Sequence, residues 1–338
     1  MTQATVLASL NAALRAALAA DERVIVLGED VLDPYGGAFK VTRGLSTEFP
    51  DRVLATPISE AGIVAAATGV ALRGLRPVVE IMFGDFLFLA GDQLVNHAAK
   101  YRAMFNDQVR VPLVIRTPAG GRRGYGPTHS QSLEKHFLGV PGLWVVAPHA
   151  LLDPGDLLRQ AILDIDDPVL FVEHKIGYGE PLRTELPGYE AVRLADAASP
   201  FPTLWLKPRG PADGLLLCYG GMTQPALDAA ALLREREKLD LGLVVVSQLA
   251  PTPATHLDAI LAEAAPAAVV TVEEAPAEGG WGAEIIATIE QGRDRRRLAA
   301  ISYRRVGAKN TPIPSARALE DEALPQVEDI VAAVLDCF

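Results

Sequence analysis

A glutamate opening an apolar helix, a second glutamate ending a strand, a thioether among aromatics and a loop histidine are the residues best suited to chemistry here. Glu60 closes the stretch Thr56-Pro57-Ile58-Ser59-Glu60 and opens a run, Ala61 to Leu72, with almost no polar residue. Pro57 blocks helix before it, Ser59 is a natural N-cap and Gly74 a stop, so the spacing predicts a helix over 60–73. A helix apolar all round is expected to be buried on every side, which puts Glu60 inside the protein, or in a subunit contact, from its first turn. Burial raises a carboxyl pKa and a helix N-terminus lowers it, so the two effects oppose each other at such a position. The same placement also serves simply to complement the helix dipole. The residues alone leave both readings open.

The other candidates fall at corresponding places in the chain. Glu29 follows the apolar run Val24–Gly28. Met82 ends the run Pro77–Met82, and Phe83 and Phe86 follow it. His129 ends a long loop that leaves a strand at Arg116. In open parallel sheets, ligands bind beyond the carboxyl ends of the strands. Two carboxylates, a thioether with aromatics and a histidine facing one crevice suit a flat heteroaromatic ligand whose ring nitrogen pairs with a carboxyl group. The loop also carries Arg122 and Arg123, which suit bidentate capture of a carboxylate or phosphate, or else lie in solvent.

The elements that must position these residues alternate. Thr5 to Ala20 reads as an amphipathic helix rather than a signal peptide, since it lacks a basic start and is interrupted by Asn11 and Arg15. Apolar strands follow near 24–28, 52–55, 77–82, 111–116, 144–146 and 169–172, with helices expected at 60–73, 85–105 and 154–164. Such alternation predicts a parallel sheet covered on both faces. Residues 175–212, rich in Pro and Gly, read as a linker. A second alternation then begins at Leu215, with helices over 223–238, 256–264, 281–291 and 326–336. The run Arg293 to Arg297 reads as a solvated turn.

Composition bounds the partners. Apolar residues make up 49% of the 338 and charged residues 22%, which is the balance of a globular chain with room for two cores. A net charge of −11 argues against nucleic acid and anionic membranes but permits a basic protein partner. No apolar run reaches membrane length. Two cysteines, Cys218 and Cys337, make no disulfide framework or zinc motif, and point to a reducing, cytoplasmic setting.

Over nearly its full length the chain resembles the β subunit of thiamine-diphosphate-dependent 2-oxo acid dehydrogenases. The resemblance rests on Leu27-Gly28-Glu29-Asp30-Val31, Thr56-Pro57-Ile58-Ser59-Glu60, Gly74-Leu75-Arg76-Pro77-Val78, Asp92-Gln93 with Asn96, Ala98-Ala99-Lys100 and His129-Ser130-Gln131. In the second half it rests on Pro225 with Ala229-Ala230, Glu273-Glu274, Gly282-Ala283-Glu284-Ile285 and Leu319-Glu320-Asp321. Each motif is short; their common order and spacing are specific.

The resemblance implies a two-domain, transketolase-like α/β fold. Residues 1–190 would bind the cofactor's aminopyrimidine, and 191–338 would comprise a linker and a C-terminal domain. Glu60 matches the family's cofactor-activating glutamate, whose carboxyl bonds a pyrimidine ring nitrogen and promotes the imino tautomer that deprotonates the thiazolium carbon. Glu29, Ile58, Ser59, Met82 and Phe86 match further cofactor contacts. Phe83 and His129 fall to the substrate, with His129 also serving acyl transfer to a lipoyl arm, and Arg122 and Arg123 are added as substrate candidates. A structural potassium ion in relatives matches Leu113, Ala161 and Asp164, although the segment Ile165–Pro168 is one residue longer here. The Asp-Leu-Arg common in relatives is absent after Val246.

The implied function is decarboxylation of a 2-oxo acid on thiamine diphosphate, with the acyl group passed to a lipoyl-lysine carrier. The alternatives are an acetoin dehydrogenase or other transketolase-like enzyme, or a non-catalytic assembly subunit. The chain has no Gly-Asp-Gly diphosphate motif. The diphosphate and Mg²⁺ would therefore be held by an α subunit in an α₂β₂ heterotetramer, docked to a lipoyl acyltransferase core.

Overall fold

The alternating apolar runs form two sheets. The structure, a computed structural model, describes residues 4–183, 186–296 and 299–338. Its contacts divide the chain into a first unit, residues 1–120 with 136–182, and a second, residues 121–135 with 183–338.

In the first unit, α1 (Val6–Ala20) is capped by Thr5, whose hydroxyl accepts the Ala8 N–H, and it buries Leu10, Leu14 and Leu18. There follow β1 (Val24–Gly28), the single turn α2 (Leu45–Glu48), β2 (Val53–Ala55), α3 (Glu60–Ala71) and β3 (Arg76–Glu80). Then come α4 (Ala99–Met104), β4 (Val114–Ala119), β5 (Trp144–Val146), α5 (Pro154–Leu163) and β6 (Val169–His174). The strands run in the order β5-β6-β4-β3-β1-β2, all parallel. That is the parallel sheet the strand-length apolar runs demanded, and it brings the carboxyl ends of β1, β2 and β3 side by side.

Two expectations for this unit change. Residues 85–105 are not one long helix. A 3₁₀ turn over Gly84–Phe88 gives way to a π-helical stretch over Gln93–Ala98 that runs into α4. Asn96 Nδ2 donates to Asp92 Oδ1 at 2.8 Å across the wide turn, and the break falls at Leu89-Ala90, just before Gly91, a weak helix former. Nor is α3 buried on every side of the chain. Ile63, Val64, Ala67 and Ala71 face the core, while Gly62, Ala65, Ala66 and Gly69 lie in the open.

The second unit contains β7 (Tyr189–Leu194), β8 (Thr203–Pro208), β9 (Gly214–Cys218), α6 (Thr223–Arg236), β10 (Leu241–Val246), β11 (Gln248–Ala250), α7 (Ala254–Ala264) and β12 (Ala268–Pro276). It ends with α8 (Trp281–Arg296), β13 (Ser302–Ala308), α9 (Arg317–Ala323) and α10 (Val327–Leu335). Its sheet runs β13-β12-β9-β10-β8-β7, parallel except where β8 joins β10 and β7. The stretch read as a linker thus supplies two antiparallel strands. Its alternation was obscured because β8 is almost wholly buried whereas β7 is an edge strand open to solvent. Residues Arg293 to Arg296 continue α8 instead of forming a turn, with Arg293 paired to Glu290 one turn back; Arg297 lies outside the described residues.

Candidate active site

The first unit gathers Glu29, Glu60, Met82, Phe83 and Phe86 at the carboxyl ends of β1, β2 and β3. β1 delivers Glu29 because the Thr56 N–H bonds to Gly28 O at 3.0 Å, which holds the turn into α3 beside the end of β1. Glu60 is the first residue of α3 and is 6% exposed; Ser59 precedes it as the capping residue, but its side chain makes no capping bond. Glu29 is equally buried, and its pKa is raised, first by burial and then by the negative charges of Glu60 and Asp30. The two carboxylates therefore feel each other. Glu29 Oε1 and Thr56 Oγ1 are buried with no hydrogen-bond partner among the described residues. A buried acceptor left unmade costs roughly 1–3 kcal/mol, so these atoms are set for a donor that the chain does not supply.

An aromatic wall follows the end of β3, where Glu80 lies level with Gly28 of β1. Phe83 meets Phe86 edge-on at 5.9 Å and Phe39 at 5.8 Å, and Phe39 lies 5.4 Å from Tyr178. Lys175, fully buried, places Nζ 5.3 Å from the Phe83 ring centre. Met82, Phe83 and Phe86 are each half-buried. Ile58 is 83% exposed, and Ser59 is also open.

Behind the wall lies a charged group that sequence reasoning missed. Arg116 donates through Nε to Glu173 Oε1 at 2.8 Å and through a terminal nitrogen to Glu80, while the Tyr178 hydroxyl donates to Glu173 Oε2 at 2.5 Å. All four are buried. Burial opposes the guanidinium charge, but the two carboxylates outweigh it and hold Arg116 above its ordinary range. The Gly36–Gly37 turn closes over this group, with both residues at positive φ, and a methyl at position 37 would come within 2.5 Å of Glu80 Oε1. One signal was available: the apolar runs of β3, β4 and β6 each carry a charge towards their carboxyl half, at Glu80, Arg116 and Glu173.

The second unit holds the loop candidates. His129 is half-buried, with Nδ1 3.0 Å from Thr128 Oγ1, and Ser130 beside it is fully buried. Arg122 is tied within its own unit, donating to Pro325 O at 2.6 Å and standing 3.4 Å from Glu274; Arg123 is exposed. Of the potassium candidates, Leu113 and Ala161 are buried, and Asp164 is the exposed C-cap of α5. Arg76 already donates to the carbonyls of Ile162 and Ile165, at 2.5 and 2.6 Å. Among the described residues, no cluster of three or more His, Cys, Asp or Glu is placed to hold a metal ion, and no helix is long and apolar enough to cross a membrane.

Also in the second unit, fully buried Glu273 accepts the N–H groups of Trp281 and Gly282, both at 2.9 Å, at the start of α8. A side chain at Gly280 would collide with that carboxylate. Burial dominates those bonds and raises the Glu273 pKa from 4.5 to about 7. The folded state then holds a proton that the unfolded chain releases near 4.5, so stability falls as pH climbs through that interval. At about 1.4 kcal/mol per pKa unit the loss reaches roughly 3 kcal/mol by pH 8. Glu273→Gln should flatten this slope in denaturant titrations at pH 5 and pH 8; an unchanged slope would place the titration elsewhere.

Comparison with known proteins agrees with this architecture. The transketolase pyrimidine binding domain family matches residues 2–181, and the transketolase C-terminal domain family matches 205–330. A split-gene transketolase chain, described as an inactive beta4 tetramer, superposes with a TM-score of 0.71 at 21% identity, covering 97% of this chain and 96% of that one. The pyruvate dehydrogenase E1 component subunit beta-2 of Oryza sativa subsp. japonica, a mitochondrial protein, is 36% identical over 97% of this chain and 85% of its own length. The acetoin:2,6-dichlorophenolindophenol oxidoreductase subunit beta of Cupriavidus necator is also 36% identical, over 96% of this chain and 94% of its own. The chain belongs to this transketolase-like family of dehydrogenase E1 β subunits.

Proposed function

We propose that the chain is the β subunit of a thiamine-diphosphate-dependent dehydrogenase that decarboxylates a 2-oxo acid and passes the acyl group to a lipoyl-lysine carrier. The observation that carries this reading is the paired burial of Glu29 and Glu60 at neighbouring strand ends, with Glu29 Oε1 lacking a donor among the described residues. An aminopyrimidine fits such a pair, since it brings N–H donors, a ring nitrogen and a flat apolar face. When bound, the cofactor supplies the thiazolium carbon that attacks the oxo group. Glu60 holds and exchanges a proton at the pyrimidine ring nitrogen, and Glu29 accepts from the ligand. Met82 and Phe86 hold the ring faces, while Ile58 and Ser59 contact the cofactor from the chain surface. Phe83 and His129 attend the substrate. Arg122, which also bonds Pro325 and Glu274, and Arg123 are the candidates for a substrate carboxylate.

On this reading residues 1–190 form the pyrimidine-binding domain and 191–338 the linker and C-terminal domain. An α subunit supplies the diphosphate and Mg²⁺ site in an α₂β₂ assembly on a lipoyl acyltransferase core. Arg76 already brings positive charge to the end of α5, so the reading gives a potassium ion at Leu113, Ala161 and Asp164 no required role. Cys218 is a buried thiol whose pKa is pushed up to about 12, and both cysteines are free, which suits the cytoplasm.

Acetoin is the second donor class, favoured by the relative named for it. The assembled enzyme should therefore be assayed with pyruvate, branched-chain 2-oxo acids, acetoin and sugar phosphates. Activity with sugar phosphates alone would overturn the assignment. In the same assay His129→Ala should lower lipoyl acylation by about 10²-fold or more, the scale of a positioned acid–base group, with cofactor affinity kept. Normal acylation with weakened cofactor binding would remove His129 from the substrate's side.

A further inference from the structure

The second sheet has a topological switch point that the chain itself fills. From β9 the chain crosses to β10 on one side, then returns to place β12 on the other. In open α/β sheets a crevice forms where strand order reverses in this way, and it is where ligands are bound. Here the carboxyl ends of β9 and β12 carry Tyr219, Glu273 and Glu274, and the group seated against them is Glu134, which accepts the Tyr219 hydroxyl. Glu134 comes from segment 121–135, the segment that bears His129.

Two further carboxylates grip the start of that segment. Glu274 Oε1 accepts the Gly121 N–H at 2.7 Å. Glu320, on α9, takes the Arg122 N–H on one oxygen at 2.8 Å and the Gly124 N–H on the other at 2.9 Å. Gly120, Arg122, Gly124 and Gly126 all have positive φ, so alternate residues turn left-handed. A backbone of this kind converges its amides into a cradle for an anion, and Glu274 and Glu320 provide the anions. At the far end Lys135 Nζ donates to Pro276 O and Glu278 O, at 3.3 and 3.0 Å, just beyond β12. Glu134, Glu274 and Glu320 are each at most 5% exposed. Glu274 and Glu320 hold amides of the loop from outside it, and Glu134, within the loop, holds the Tyr219 hydroxyl.

We propose that segment 121–135 is seated in the second unit as an internal ligand, and that Glu320, Glu274 and Glu134 are positioning residues that set the conformation of the His129 loop. Their part in catalysis rests on the role given to His129 above. The loop is rigid because its amides are bound, and His129 inherits that rigidity.

Glu320→Ala and Glu320→Gln, in the enzyme assembled with its partner chain, test this. Amide hydrogen exchange in peptides covering 121–124 should quicken by roughly 10- to 100-fold in the alanine variant, the scale of losing bonds to a charged acceptor. Exchange in α3 should not change. Turnover in lipoyl acylation should fall by about 10- to 100-fold, as misplacement of a reacting group does, with cofactor affinity held. The glutamine variant keeps the volume and one acceptor and should fall between alanine and wild type; it carries the test alone if the alanine variant does not assemble. Glu322→Gln, an exposed change on the same helix at the Lys309 ion pair, should match wild type throughout.

Wild-type exchange in Glu320→Ala would overturn the seat itself and leave the role of His129 untouched. Quickened exchange with wild-type acylation, in a series where His129→Ala is impaired, would overturn the positioning role. If His129→Ala is also unimpaired, the functional reading fails together with the positioning role.

Discussion

Glu60→Gln should give a folded, assembled enzyme that no longer exchanges the thiazolium proton and loses at least about 10²–10⁴ in turnover, the range attributed to a positioned acid–base group. Glutamine keeps the size of the side chain and its place at the start of α3, but it cannot hold and release a proton. The fold should survive because the substitution removes a charge from a costly site: Glu60 is buried, and its negative charge is one of the causes that raise the pKa of Glu29. Without that charge Glu29 should ionise at lower pH. A carboxyl-selective infrared or NMR titration would then show the Glu29 transition moving down while exchange of the cofactor proton is lost. Thiazolium exchange at the wild-type rate would remove Glu60 from the proton path.

Much of this site could be read from the sequence because its positions follow from periodicity. A parallel sheet puts the ends of its strands in one place, and apolar runs ending at Gly28, Ala55 and Met82 are easily counted. Glu29, Glu60 and the aromatics after Ile81 therefore fall together whatever the helices do. Less visible were features whose cause lies in the tertiary fold. The isolated charges of Glu80, Arg116 and Glu173 look like interruptions until strand register places Glu80 beside Arg116 on neighbouring strands. Arg122 read as either an anion binder or a solvated side chain because nothing local reveals Pro325 or Glu320, some two hundred residues away. For the same reason segment 121–135, continuous in sequence with β4 of the first unit, did not show that it packs in the second. The π-helical stretch over Gln93–Ala98 was missed because its apolar residues fit a regular helix as well as a widened one.

The other large effect expected is that this chain alone turns over no substrate and binds thiamine diphosphate with Mg²⁺ weakly, whereas adding the partner chain restores both. The first unit offers carboxylates and aromatic faces, which suit a neutral ring, but a diphosphate needs backbone amides and a divalent cation to balance its charge. Gly84-Asp85-Phe86 is the nearest approach to a Gly-Asp-Gly motif, and it leads into the aromatic wall on the pyrimidine side. The surface around the site is also unfinished for a chain acting alone. Ile58, two residues before Glu60, is 83% exposed, and Leu89, three residues after Phe86, is 61% exposed. The open stripe of α3 at Gly62, Ala65, Ala66 and Gly69 has no side chain large enough to keep another backbone away. Burying a side chain such as Ile58 contributes roughly 1.5–3 kcal/mol, so several of them beside small residues favour a close subunit contact. Covering that face would also exclude water from Glu60 and strengthen every interaction it makes with a bound ring. Calorimetric titration of the cofactor with Mg²⁺ into the isolated chain, then into the reconstituted pair, measures both halves of the argument. Tight Mg²⁺-dependent binding with turnover by the isolated chain would show that it carries a whole site.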